Sequence, residues 1–247
     1  MATGDIEGWL RKSQWVIQGT VEKRGAVNLK SLPASGATSI VKVEDILHGP
    51  PQFNDHRGRK ITLYSERAQG LKAGQRAIFF TRSWMYGESL AVVEVGRQTG
   101  EAGKMKQQIA AANERIADQR LGERLSRAQL VIVGRVAKTQ PVRETQRRRI
   151  ETEHDPDWWE AQLVVQGVEK GTVREKVLTI LFANSNDEMW IDSPKFQPEQ
   201  QGIWILQRDQ KEKGWPVLRL PGLTALDPLD FQPLQQLDRI RRLLRPR

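Results

Sequence analysis

Trp15-Val16-Ile17-Gln18-Gly19-Thr20-Val21 returns later in the chain as Leu130-Val131-Ile132-Val133-Gly134-Arg135-Val136. The two glycines, Gly19 and Gly134, lie 115 positions apart, which is the length of a domain and not of a solenoid repeat. Each copy follows a short polar stretch of helical character that ends in Ser13-Gln14 or Ala128-Gln129. The correspondence continues in order. Segment 40–49 answers to 162–171, 60–63 to 177–180, 74–80 to 200–206, and 90–93 to 216–219. The offsets are 122, 117, 126 and 126, so length changes fall between the matched segments, where loops belong. Five segments recurring in one order are read as a duplicated unit.

Each segment is short, β-branched or aromatic, and bounded by Gly, Pro, Asn or charged residues, which is the pattern of a strand. Val41, Val43 and Ile46 against Lys42, Glu44 and Asp45 begin as an alternation with one face buried. Ile78-Phe79-Phe80 and Ile203-Trp204-Ile205-Leu206 are continuous apolar runs and read as central strands covered on both sides. Five such strands in each half close most economically as a small antiparallel barrel that leaves few unpaired edges.

Between the copies, Glu101 to Arg127 contains no proline and sets Met105, Ile109, Ala112, Ile116 and Leu121 close to helical spacing. A final helix is expected from about Pro233 to Leu244, with Leu234, Leu237, Ile240 and Leu244 on one side. The expected organisation is mainly β with flanking helices. Residues 1–100 form a first five-stranded barrel with a short N-terminal helix, 101–127 an amphipathic joining helix, and 128–247 a second barrel ending in a basic helix. The segments Gly25–Ala37 and Arg143–Asp155 are expected to be disordered loops.

The opening strand and the later Leu163-Val164-Val165-Gln166-Gly167-Val168-Glu169-Lys170-Gly171 resemble the strand patterns of netrin-like domains, the group that includes tissue inhibitors of metalloproteinases. Gly74 to Phe80 is similar to a later strand of that group. The resemblance implies a tandem pair of OB-like five-stranded barrels flanked by helices. It stops short of the inhibitors' chemistry. Those proteins are similar to a disulfide-held wedge whose N-terminal Cys chelates a protease zinc, and this chain has no Cys.

Zero cysteines exclude disulfides, thiol catalysis and thiolate metal sites. No apolar run approaches the ~20 residues that span a bilayer. The polar start places the chain in the cytoplasm as written, or outside it if a signal peptide has been removed. Nucleophile elbows, phosphate loops and dinucleotide fingerprints are missing, so no enzymatic activity, cofactor or small-molecule substrate is expected. Glu151, Glu153, His154, Asp155 and Asp157 form one acidic concentration, but a single polar loop supplies acids for solubility as readily as ligands, and no metal is expected.

The net charge of +9 favours an acidic partner. Arginines cluster in Arg57-Gly58-Arg59-Lys60, in Arg147-Arg148-Arg149, and along the last helix. Eight Trp stand against two Tyr and six Phe, and Trp158-Trp159 have no aromatic counterparts in the first copy. Adjacent strand residues point to opposite faces, so one of that pair is expected to face away from the core. Trp84 and Tyr86, in the 83–87 hairpin, are the other candidates for exposure. The candidate partner-binding residues are Trp158, Trp159, Trp84, Tyr86, Arg57, Arg59, Lys60, Arg147, Arg148 and Arg149.

Two functions fit. The first is a non-catalytic scaffold, a tandem barrel adaptor docking an acidic protein in a larger assembly through exposed aromatics. The alternative is a single-stranded nucleic-acid binder, with bases stacked on the same aromatics. Against the alternative, Tyr64 is the one aromatic on the strands such barrels use. A membrane-surface role is not expected, because the apolar stripe of the last helix carries no Trp or Phe.

Overall fold

The computed structural model describes residues 5–142, 156–208 and 222–245. The chain divides into two compact units, Met1–Ala117 and Asp118–Arg247.

In the first unit, Asp5 caps the short helix α1 (Ile6–Leu10) by accepting from the Gly8 amide. Five strands follow: β1 (Trp15–Arg24), β2 (Thr38–His48), β3 (Lys60–Tyr64), β4 (Arg76–Tyr86) and β5 (Leu90–Gln98). They close into a barrel in the order β1-β2-β3-β5-β4, with β3 and β5 parallel and the other neighbours antiparallel. This is the strand arrangement of an OB-like barrel. Alternation along β4 builds two cores at once. Ala77 and Phe79 enter the barrel with Trp15, Ile17, Val41, Val43, Ile61 and Leu63. Ile78 and Phe80 turn outward and pack with Leu10 and Val16 under Met105, Ile109, Ala112 and Ile116 of helix α2 (Ala102–Arg127).

The second unit takes over the rest of α2, whose Leu121 and Leu125 pack with Val131, Ile203, Ile205 and Ile240. The apolar stripe of α2 advances by three or four residues up to Ile116 and then by five to Leu121. That step falls where the two units divide. The strands are β6 (Leu130–Pro141), β7 (Trp158–Lys170), β8 (Val177–Ala183), β9 (Gln201–Leu206), β10 (Leu223–Thr224) and β11 (Phe231–Gln232), and the last helix is α3 (Leu237–Leu244). They form a six-stranded sheet, β10-β8-β7-β6-β9-β11.

Set beside the first unit, β6, β7, β8, β9 and β10 take the places of β1, β2, β3, β4 and β5, down to the parallel pairing of β10 with β8. Among the described residues, β9 is joined to β10 by a bridge from Gln207, just beyond its end, to Thr224, where the first unit has a full β4–β5 ladder. The duplication extends to irregularities. The β1–β2 ladder shifts register after Val16, Gln18 and Val21, and the β6–β7 ladder after Val131, Val133 and Val136. Every one of these positions repeats at the spacing of 115. At the middle shift the backbones come close. A Cβ on Gly19 would meet the Lys42 carbonyl oxygen at 2.7 Å, and one on Gly134 the Val164 oxygen at 2.8 Å. Glycine recurs there because no side chain fits.

Four expectations change. The second copy, expected as a five-stranded barrel, is a six-stranded sheet among the described residues, because β9 pairs with β11 and reaches β10 through a single bridge. The ladders place Gly19 opposite Ala77 and Gly134 opposite Gly202, so β4 and β9 correspond at an offset of 125, not 126. One residue decides the face: Phe79 matches Trp204 inside, and Phe80 matches Ile205 outside. The segment Gly25–Ala37 is ordered, because Leu29 and Leu32 pack on Ala91 and Asn28 is held at both ends of its side chain. The last helix starts as a 3-10 turn (Leu234–Gln236) before α3. The expected fifth strand of the second copy, 216–219, and the loop 143–155 lie outside the described residues.

Candidate functional site

The exposed rings of the first unit gather at the β4–β5 hairpin. The β4–β5 ladder shifts register between Ser83 and Met85, and β4 continues through Met85 and Tyr86 to the hairpin. Trp84 is 41% exposed, Met85 37% and Tyr86 73%. The Trp84 ring lies 5.2 Å from that of Tyr64, at the end of β3, tilted by 58°. Tyr86 is paired with Leu90, whose side chain lies in the barrel core, so Tyr86 projects over the mouth of the barrel. There it meets His56 edge-on at 6.4 Å, and His56 in turn stacks on Trp15 at 6.0 Å.

The segment 25–37 borders these rings. Asn28 donates from its amide to Thr62 Oγ1 at 3.0 Å and from Nδ2 to the Lys60 carbonyl at 2.6 Å and Ser89 Oγ at 2.7 Å. Thr62 is therefore fully covered although it lies on the outer wall. What remains open is the wall around Tyr64 and Trp84 and the rim around Tyr86.

Cations surround this surface, but ion pairs occupy part of them. Arg57 reaches Asp45 at 2.6 Å and Lys60 reaches Glu22 at 2.6 Å. Burial works against ionisation of Asp45, but Lys106 at 2.8 Å and Arg57 outweigh it and hold its carboxyl below the usual range. The hydroxyl of Thr20, which donates to Glu44 at 2.6 Å, and Arg76 at 2.5 Å do the same for Glu44. Lys42, Arg59 and Arg82 are exposed, and none of them forms an ion pair with a carboxylate among the described residues.

The other expected residues lie elsewhere. Trp158 and Trp159 open β7 in the second unit, and both are half-buried. Trp158 packs edge-on against Trp190 at 5.5 Å, beside Ala183 and Leu226. Trp159 turns to the core, 6.4 Å from Phe182. The two rings do point to opposite faces, and each face has its own cover. Arg147, Arg148 and Arg149 lie outside the described residues.

Tyr64, His56, Lys42 and Arg82 are residues of this surface that the sequence reading did not select as a site. Tyr64 was legible, since it ends the alternation Lys60, Thr62, Tyr64 on the outer face of β3. His56 was not, because its place over Trp15 depends on the 3-10 turn Pro51–His56. Among the described residues no three His, Asp or Glu side chains converge in a way that could hold a metal ion, and no helix is long and apolar enough to cross a membrane.

No family model matches the chain, and no curated protein does. Among solved structures, the wild-type single-stranded DNA-binding protein from Thermus aquaticus is matched at 14% identity over 80% of this chain and 85% of that one. The TM-score of that match is 0.19, so the likeness bears no weight for the fold or function of this chain, and the barrel order above stands on its own strand pairing.

Proposed function

We propose that the first unit binds single-stranded nucleic acid around its β4–β5 hairpin, within a non-catalytic protein whose second unit is a related OB-like module joined through α2. The observation that carries this reading is the exposed Trp84 ring set against the half-buried Tyr64, with the exposed Tyr86 beyond it, on a closed five-stranded barrel. Barrels of this type take oligonucleotides or oligosaccharides on the β2–β3 wall and on the loops between β1 and β2 and between β4 and β5. Every base offers a π-face to a ring, whatever the sequence. The uncommitted Lys42, Arg59 and Arg82 and the net charge of +9 favour the polyanion over a neutral glycan.

The test is fluorescence anisotropy with labelled oligo(dT) and oligo(rU) of about ten nucleotides, within the range of one OB-like barrel. Binding is expected to weaken with salt. Trp84→Ala is expected to weaken it by about fivefold or more, and Tyr64→Ala/Trp84→Ala further, at roughly 1–3 kcal/mol per lost stacking partner. Full affinity in the double variant, or no binding at low salt, would overturn the reading.

A protein-docking role has its own supporting observation, in the second unit. Met189 is 38% exposed and Ile191 60%, on a loop pinned from beneath by Lys195, whose ammonium donates to the carbonyls of Trp190, Ile191 and Ser193. Exposed apolar side chains on a braced loop suit a protein partner. A stoichiometric partner captured by the wild type and lost in Met189→Ser/Ile191→Ser, with oligonucleotide binding intact, would support it.

A further inference from the structure

We infer that the Tyr64–Trp84 site takes the free end of a single strand and not a stretch within one, because the wall that carries it is closed on three sides. This rests on the nucleic-acid reading above.

Strand register lays out that wall. Val41 of β2, Leu63 of β3 and Val92 of β5 enter the barrel core, so Thr38, Tyr64 and Val93, of opposite parity, face outward. The ladders set them in one row, Thr38 opposite Tyr64 and Tyr64 opposite Val93, with Arg82 of β4 next along.

Three sides of the row are covered. On the β2 side Thr38 is buried under Ser35: its hydroxyl donates to the Ser35 carbonyl and accepts from the Ser35 amide, both at 2.9 Å. Toward the start of β3, the next outward pair, Thr62 and Ala91, is buried beneath Asn28, Leu29 and Leu32. Toward the end of β5, Val95 packs into the layer under α1 and α2, and a Cβ on Gly96 would run into the Trp9 ring. The fourth side is the flank of β4. β1 begins at Trp15, opposite Thr81, and past that point β4 has no ladder partner on this flank among the described residues. Exposed Arg82, Trp84 and Tyr86 stand along it, with Gln14 touching only the Ser83 amide.

The open wall is thus one outward row between two covered ones, and such rows lie about 7 Å apart. That is room for a base or two on the rings, with the chain leaving over β4. A nucleotide within a strand has a second chain to place, and every other direction meets Ser35, Asn28 or the helices. A terminal nucleotide has none.

The experiment is competition anisotropy at low salt. A linear oligo(dT) labelled at an internal base is displaced by unlabelled linear or covalently closed circular oligo(dT) of about thirty nucleotides, longer than the range of one OB-like barrel. The two competitors carry nearly the same charge, so the electrostatic contribution is shared and the ends are what differ. The linear strand is expected to compete about tenfold better, the worth of roughly one stacking contact. Trp84→Ala, verified as folded by circular dichroism, should bring the linear strand down to the level of the circle. Equal competition by the two forms against the wild type overturns the end-binding inference alone. So does a linear preference that survives in Trp84→Ala, because it places the end elsewhere. Absence of linear-strand binding at low salt overturns the nucleic-acid reading, and end binding falls with it.

Discussion

The two units share the order of five strands and the same three ladder irregularities, although only the first closes among the described residues, and they put their aromatic rings in opposite places. In the first unit, rings at the β4–β5 hairpin stand out from the wall: Trp84, Tyr86 and their neighbour Tyr64. In the second, the rings form an inward chain, Trp159 to Phe182 to Phe196 to Trp204 to Phe231, with successive centroids between 5.1 and 6.4 Å. The ladder register and the close-packed glycines belong to the shared framework. The ring positions belong to what each unit does with that framework. A duplicated fold thus separates stability from function by inspection: what repeats holds the unit together, and what differs is where binding should be sought.

The sharpest way to break this contrast is at a feature the first unit lacks. Arg124 of α2 is 6% exposed and grips the fully buried Asp230 with two hydrogen bonds, Nε to Oδ1 at 2.6 Å and Nη2 to Oδ2 at 2.7 Å. Asp230 also accepts from the Leu226 and Asp227 amides. Arg124→Ala leaves that carboxylate buried without its cation, and a loss of about 3–5 kcal/mol is expected in urea unfolding. Oligonucleotide affinity of the folded protein should not change.

A comparison of like residues comes next. Trp159→Ala removes a ring from the second core and should cost about 2–4 kcal/mol of stability with binding unaffected. Trp84→Ala should do the reverse, sparing stability to within about 0.5 kcal/mol while weakening oligonucleotide binding. Equal effects of the two on binding would erase the division drawn here.

The shared framework predicts equal damage in both units. Gly19→Ala and Gly134→Ala each press a methyl into the facing backbone, and each should destabilise by about 1–3 kcal/mol. A large loss at one and none at the other would show that the two ladders are not equivalent.

The smallest effect concerns the ends of the strand pair. Glu169 accepts two hydrogen bonds from Arg241 at 2.8 Å, which lower its pKa against the pull of burial. A lowered folded-state pKa stabilises above the ordinary carboxylate range and is lost as pH falls through the folded value. Glu169→Gln should therefore lower stability slightly at neutral pH and flatten by the same small amount the acid limb of the stability profile, below about pH 4.5.

Much of this was legible before any coordinates. The repeat located β1 to β4 and β6 to β9, since glycine-bounded β-branched segments have few other uses. Met105, Ile109, Ala112 and Ile116 announced the helical face that covers the first barrel. Tyr86 and Trp84 could be selected because a hairpin with apolar rings at its tip has no core to fill. Other points depended on partners far away in sequence. The alignment of β4 with β9 was a residue out because runs of apolar residues carry no phase of their own, and only pairing with Gly19 and Gly134 sets it. One of Trp158 and Trp159 was expected to face away from the core, and what lies against each ring, Trp190 and Phe182, comes from outside their own segment.

By itself, then, the sequence determined the duplication, most of the strand content, a long helix between the two copies and the cationic balance, because periodicity and composition are local quantities that survive without long-range contacts. Tertiary structure decided which rings are buried, which cations are already paired with Asp45, Glu22 or Asp230, and that His56 sits between Trp15 and Tyr86. Those facts are set by side chains that meet only when separate strands close on one another, and no local pattern encodes the meeting.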